Sequence, residues 1–207
     1  MTVYTLDTLA NAPDPPHETR LGSRQAFAGR LLHVRVDDVR LPSGRTSVRE
    51  VVEHPGSAVV IPVTTDGHVL MIRQYRHVTG EHLLELPAGV LDPGEDPRAA
   101  GQRELREETG HRAATVRELA TIWISPGYTT ERATVLLAEG CESVPHEADV
   151  DEPVQIVRVP LVDVPALLDP GASRVHNALA MIGLLWLVRL GMATPAPPGD
   201  RAEEPRP

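Results

Sequence analysis

Glu95, Arg103, Glu104, Glu107 and Glu108 fall within fourteen residues, and this is the stretch of the 207-residue chain best suited to chemistry. The segment 89–110 reads GVLDPGEDPRAAGQRELREETG and fixes Gly89, Glu95, Arg103, Glu104, Leu105, Glu107, Glu108 and Gly110 in relative position. On a helix, Glu104 and Glu108 are i,i+4 neighbours and Glu107 lies three residues from Glu104, so three carboxylates crowd adjoining parts of one surface. Like charges at that spacing weaken a helix slightly and call for compensation. Arg103 reaches Glu107 at i+4 and neutralises part of the field. A hard divalent cation, which prefers carboxylate oxygen, would neutralise the rest. Most charge runs are solvated faces, and Arg-Glu-Leu alone would carry only that reading. At ~7% usage per residue type, even seven of these eight identities recur by chance roughly a few times per million such chains, so the spacing argues for function.

The elements that must position these groups are legible around them. The helix is expected from about Pro97 to Thr109, with Asp96 as N-cap, Pro97 in the first turn and Gly110 as the stop. Strand patterns precede it at 30–41, 46–53, 58–63, 68–73 and 82–86, with a turn at Pro42-Ser43-Gly44 and a hairpin signal at Asp66-Gly67. Strands return at 116–124, 133–138 and 154–159. A short helical piece near 161–168 and an apolar helix at about 174–191 close the chain. The implied class is α+β: an α-β-α sandwich with mixed sheets, N-terminal antiparallel strands and a C-terminal helix. The expected organisation is a flexible tail at 1–20, antiparallel strands at 21–54, a main domain at 55–192 and a second flexible tail at 193–207, both tails being rich in Pro and charge.

Composition narrows the partners. A formal net charge of −9 and a pI near 5.4 argue against nucleic acid as a ligand. The chain has no lysine, so any phosphate clamp must be arginine, backbone N–H or metal. A single cysteine, Cys141, forms no intramolecular disulfide and suits a reducing, cytoplasmic setting. The longest apolar run, 178–188, is too short to span a bilayer, and the N-terminal residues do not read as a secretory signal. Of six aromatic residues, Trp123 and Trp186 sit in apolar patterns and are expected in the core.

The segment 89–110 resembles the Nudix box, the loop-helix-loop signature of hydrolases that split a nucleoside diphosphate linked to another moiety. The position that closes the box is usually aliphatic and is His111 here, a departure that bears on packing more than on metal binding. The resemblance implies that Gly89 lets the loop turn close to the metal. It implies that the Ala88 carbonyl with Glu104, Glu107 and Glu108 holds Mg²⁺, Mn²⁺ being an alternative. Glu95 and Arg103 would brace the helix, and metal-activated water would attack phosphorus.

Three flanking features resemble the ADP-ribose pyrophosphatase subgroup: Ser125-Pro126-Gly127, with Pro126 sixteen residues past Gly110; the runs Glu85–Gly89 and Arg73–Arg76; and Arg49–His54. The last resembles a strand that reaches a partner subunit's adenosine site. The resemblance therefore implies a homodimer in which 21–54 is exchanged. Phe27 and Tyr128 are the candidates for stacking an adenine, Arg49 and Glu50 for pairing with it, and Arg76, with Arg73 behind it, for the diphosphate. The base is expected in the acidic stretch 146–152, with Glu147 first and Glu152 second. The alternatives are a Nudix hydrolase for GDP-mannose or a dinucleoside polyphosphate, and a non-catalytic ADP-ribose-sensing domain.

Overall fold

The computed structural model describes residues 5–145, 153–170 and 175–194, which fall into two compact units. The first holds residues 5–54 together with Ser125–Thr130. It begins with one helical turn, α1 (Leu6–Leu9), inside the stretch expected to be a tail; Thr5 and Thr8 cap it reciprocally. Three strands follow as an antiparallel meander: β1 (Thr19–Ala28), β2 (His33–Arg40) and β3 (Thr46–Glu53). β1 is exposed along nearly its whole length, so no apolar alternation marks it in the sequence. Gly44, at φ 83°, closes the β2–β3 turn where the Pro-Ser-Gly signal lies. The segment Ser125–Thr130 runs beside β3: the Val52 N–H donates to the Tyr128 carbonyl at 2.8 Å and the Thr130 N–H donates to the Val52 carbonyl at 2.9 Å.

The second unit is built on an eight-stranded mixed sheet. Its strands are β4 (Ser57–Thr64), β5 (His68–Arg76), β6 (Glu81–Glu85), β7 (Ala88–Val90), β8 (His111–Arg112), β9 (Thr115–Trp123), β10 (Arg132–Ser143) and β11 (Gln155–Pro160). The spine runs β11-β5-β4-β10-β8, with β6 beside β5, β7 beside β4 and β9 beside β10. β4 and β10 are parallel; their other pairings are antiparallel. Every position of β4 is buried, as its unbroken apolar run requires of a strand covered on both faces.

Alternation along these strands sends side chains to two cores. Val59, Ile61, Val135 and Leu137 pack with Leu184 and Leu187 of the C-terminal helix, Ala178–Arg189. Ala58, Val60 and Leu136 pack on the other side with Ala100 and Leu105 of the helix Pro97–Thr109. These helices are α2 (Pro97–Thr109) and α4 (Ala178–Arg189), with α3 (Val164–Leu167) between them in the chain. The unit is thus an α-β-α sandwich, the class implied by the sequence.

One expectation fails. Trp123 is 55% exposed at the end of β9, with the Arg132 guanidinium 5.3 Å from its ring centroid. Its neighbours Ile122 and Ile124 face the α4-side core, so strand alternation turns Trp123 to the opposite face. Trp186 is half-buried against that core, as expected.

Candidate active site

α2 has the ends its sequence dictates. The Asp96 side chain accepts the N–H groups of Arg98 and Ala99 at 2.7 and 3.3 Å, and Gly110 adopts φ 64° while its N–H donates to the Arg106 carbonyl. Ala100, Gly101, Leu105 and Thr109 are buried, which leaves Arg103, Glu104, Glu107 and Glu108 along the helix flank beside β7. β7 pairs with β4 so that Gly89 opposes Ala58. A Cβ on Gly89 would overlap the Glu104 carboxylate. Gly89 is not among the residues with positive φ, so this glycine serves space rather than the turn expected from the sequence.

Arg103 is the hub of the acidic cluster. Its Nε and Nη2 donate to Glu95 Oε1 and Oε2, both at 3.0 Å, and its Nη1 donates to Glu104 at 2.6 Å and to Glu107 at 3.2 Å. Glu95 also accepts the Asp92 N–H at 3.0 Å, which ties the loop before the helix to the helix itself. The brace expected of Glu95 and Arg103 is therefore present as geometry. Glu95 lies below the usual carboxylate range, because of Arg103 first and the Asp92 N–H second. Glu104 is shifted upward: burial disfavours its charge more than Arg103 restores it, and Glu107 and Glu95 add repulsion. The Glu108 carboxylate accepts the Ala88 N–H at 3.0 Å.

Three carboxylates thus surround one guanidinium and Glu108 lies on the same helix, an excess of hard oxygen donors with net negative charge. Among the described residues no three His, Cys, Asp or Glu side chains converge as a ready cation cage. Arg103 and the Ala88 N–H hold the carboxylates apart. The donor chemistry nevertheless fits a hard divalent ion: carboxylates on one helix flank and a glycine that leaves room for Glu104.

Arg76, the expected diphosphate contact, ends β5. Its Nε and Nη2 donate to Glu85 Oε1 and Oε2 on β6 at 2.9 and 3.0 Å. In the sequence Glu85 stands out only as part of the run 85–89, with no role of its own. The one signal was a charged residue inside a short apolar strand. Arg73, behind Arg76, is exposed and donates to Gln155 at 3.0 Å.

The residues expected around the adenine belong to the first unit. Phe27 is exposed, its ring lying against Gly29. In register, Phe27 opposes Val34 and Val34 opposes Val52, whose backbone holds Tyr128, so one row across the meander joins Phe27 to the Ser125–Thr130 segment. Pro126 and Tyr128 are exposed on that segment, and Glu50 is exposed on β3. Arg49 is held by Glu18, with Nε to Oε1 at 2.9 Å and Nη2 to Oε2 at 2.5 Å. Glu147 and Glu152 lie outside the described residues.

Comparison with known proteins agrees with this arrangement. The NUDIX domain profile matches residues 53–179, and that of the nucleoside diphosphate sugar hydrolase N-terminal domain matches residues 18–52. A methanol dehydrogenase activator from Bacillus methanolicus is 35% identical over 170 residues, covering 82% of this chain and 92% of that protein. An ADP-ribose pyrophosphatase from Bacillus subtilis is 37% identical over 172 residues, with the same coverage. The crystal structure of an ADP compounds hydrolase superposes with a TM-score of 0.76 at 27% identity, over 87% of this chain and 100% of that one. With the box residues in place on α2 and β7 and the domain profile matched over most of the chain, the protein belongs to the Nudix hydrolase family.

Proposed function

We propose that the chain hydrolyses the diphosphate linkage of ADP-ribose to AMP and ribose 5-phosphate with Mg²⁺, for which Mn²⁺ can substitute. The observation that carries this reading is the seating of the half-buried Glu104 carboxylate over Gly89, with Glu107 and Glu108 on the same helix flank. The likeness to an ADP-ribose pyrophosphatase at 37% identity supports the choice of substrate.

Glu104, Glu107, Glu108 and the Ala88 carbonyl are the residues that would hold the ion. When bound, such an ion would offset the charge that develops on the phosphate oxygens and would lower the pKa of a water molecule. Arg103 keeps the carboxylates from repelling one another before the ion arrives, and with Glu95 it fixes the loop against the helix. Arg76 binds the diphosphate through its planar guanidinium. Phe27 and Tyr128 flank the adenine, Arg49 and Glu50 pair with it, and Pro126 shapes the segment that carries Tyr128. Glu147 takes the proton from the attacking water as the bridging P–O bond breaks.

The test is product analysis with Mg²⁺ on ADP-ribose, GDP-mannose, diadenosine polyphosphates and 8-oxo-dGTP, for wild type and Glu108→Gln. The expected result is AMP and ribose 5-phosphate from ADP-ribose, with activity reduced about 100-fold or more in Glu108→Gln. A strong preference for another substrate would overturn the substrate and leave the hydrolase standing. No cleavage with either Mg²⁺ or Mn²⁺ would overturn the activity and favour a ligand-sensing domain.

A further inference from the structure

We propose that Glu85 is a positioning residue of the diphosphate site, acting through Arg76; this rests on the assignment of Arg76 to the diphosphate. In the β5–β6 register, Arg76 opposes Glu81, Gln74 opposes Leu83 and Ile72 opposes Glu85. Arg76 is nevertheless hydrogen-bonded to Glu85 through both carboxylate oxygens. The two side chains therefore lean toward each other across the four register steps that separate Arg76 from Ile72, the residue opposite Glu85. Gln74 and Glu85 are buried, and the Gln74 Oε1 has no hydrogen-bond partner among the described residues.

Stability alone gives a poor account of this pair. A carboxylate that is 6% exposed costs desolvation, and apolar residues of similar volume would fill such a position as well or better. The Arg76 side chain, by contrast, is 44% exposed. A buried carboxylate gripping an accessible guanidinium through two parallel bonds fixes the plane and direction of the cation, which matters for a bidentate oxyanion ligand. Glu85 also begins the run that leads through Leu86 and Pro87 to Ala88, whose N–H meets Glu108. One short segment therefore orients Arg76 at one end and meets the carboxylate cluster at the other.

The two accounts of Glu85 differ in sign. If Glu85 acts only as a negative charge beside an anion-binding arginine, neutralising it strengthens diphosphate binding. If it positions Arg76, neutralising it weakens binding despite the gain in positive charge. Calorimetric titration of ADP in Mg²⁺ buffer separates them for wild type, Glu85→Gln, Arg76→Lys, Arg76→Ala and the double variant Glu85→Gln/Arg76→Ala, with melting points recorded alongside. Positioning predicts that Glu85→Gln weakens ADP about tenfold. With ADP-ribose, the loss falls on KM more than on kcat. Arg76→Lys, which keeps the charge without the fork, mimics Glu85→Gln and serves in its place if that variant melts too low. The double variant is no weaker than Arg76→Ala. Equal or tighter ADP binding by Glu85→Gln overturns the proposal, as does a penalty that persists undiminished in the Arg76→Ala background. If Arg76→Ala leaves ADP binding intact, the diphosphate assignment of Arg76 fails instead, whatever substrate the enzyme cleaves.

Discussion

Glu104 is held in a chemically uncomfortable place, on a helix flank where burial works against its charge and two other glutamates repel it. Its carboxyl is shifted upward in the folded chain, so the unfolded chain ionises more readily. The stability this group contributes is therefore complete below the ordinary carboxylate pKa and is lost as pH rises through the raised folded value. Glu104→Gln cannot ionise, so without divalent ions its melting point should exceed that of wild type at pH 7, and the two should converge near about pH 4. Saturating Mg²⁺ should reverse the order, because wild type, with all its ligands, gains more of the ion's binding energy. Thermal melts with chelator and with Mg²⁺ read both; a wild type more stable than Glu104→Gln in chelator at pH 7 would refute the burial argument. At this scale the box residues were legible because identity and spacing along one helix suffice. The Arg76–Glu85 pair was not, because it depends on the register of two strands, which spacing along the chain does not reveal.

α2 also tests how far local preference governs an element. Gly101 lies in the middle of the helix, where alanine ordinarily gains about 1 kcal/mol. Here a Cβ would overlap the Leu136 side chain and stand 3.1 Å from Val60 Cγ2. Overpacking of this kind costs about 1–3 kcal/mol. Gly101→Ala should therefore lose roughly 1 kcal/mol of stability in urea denaturation, and a gain would mean the sheet beneath yields easily. The caps, the apolar side of α2 and the runs of β3, β4 and β10 were readable because each is a local pattern. β1 was not, since it is exposed on both faces, and β7 and β8 span only three and two residues. The parallel pairing of β4 with β10 joins segments some seventy residues apart, which no local signal encodes.

At the scale of the whole molecule, the first unit offers an edge strand, β1, with Leu21 and Phe27 exposed on it. Long exposed edge strands invite pairing with another chain. This supports the homodimer with exchanged 21–54 strands, for which light scattering on a sizing column should give twice 22.5 kDa. A mass of one chain at micromolar concentration would sink it. The second unit holds the chain's single cysteine, Cys141, 2% exposed, its thiol pushed up to about 12 by burial. A thiol so placed is silent toward alkylating reagents near neutral pH. Any cysteine introduced on the surface therefore becomes the sole address for a fluorescent label. Val78, 97% exposed between the strands that carry Arg76 and Glu85, is a natural choice: a dye there would report the arrival of a diphosphate without removing a native thiol first.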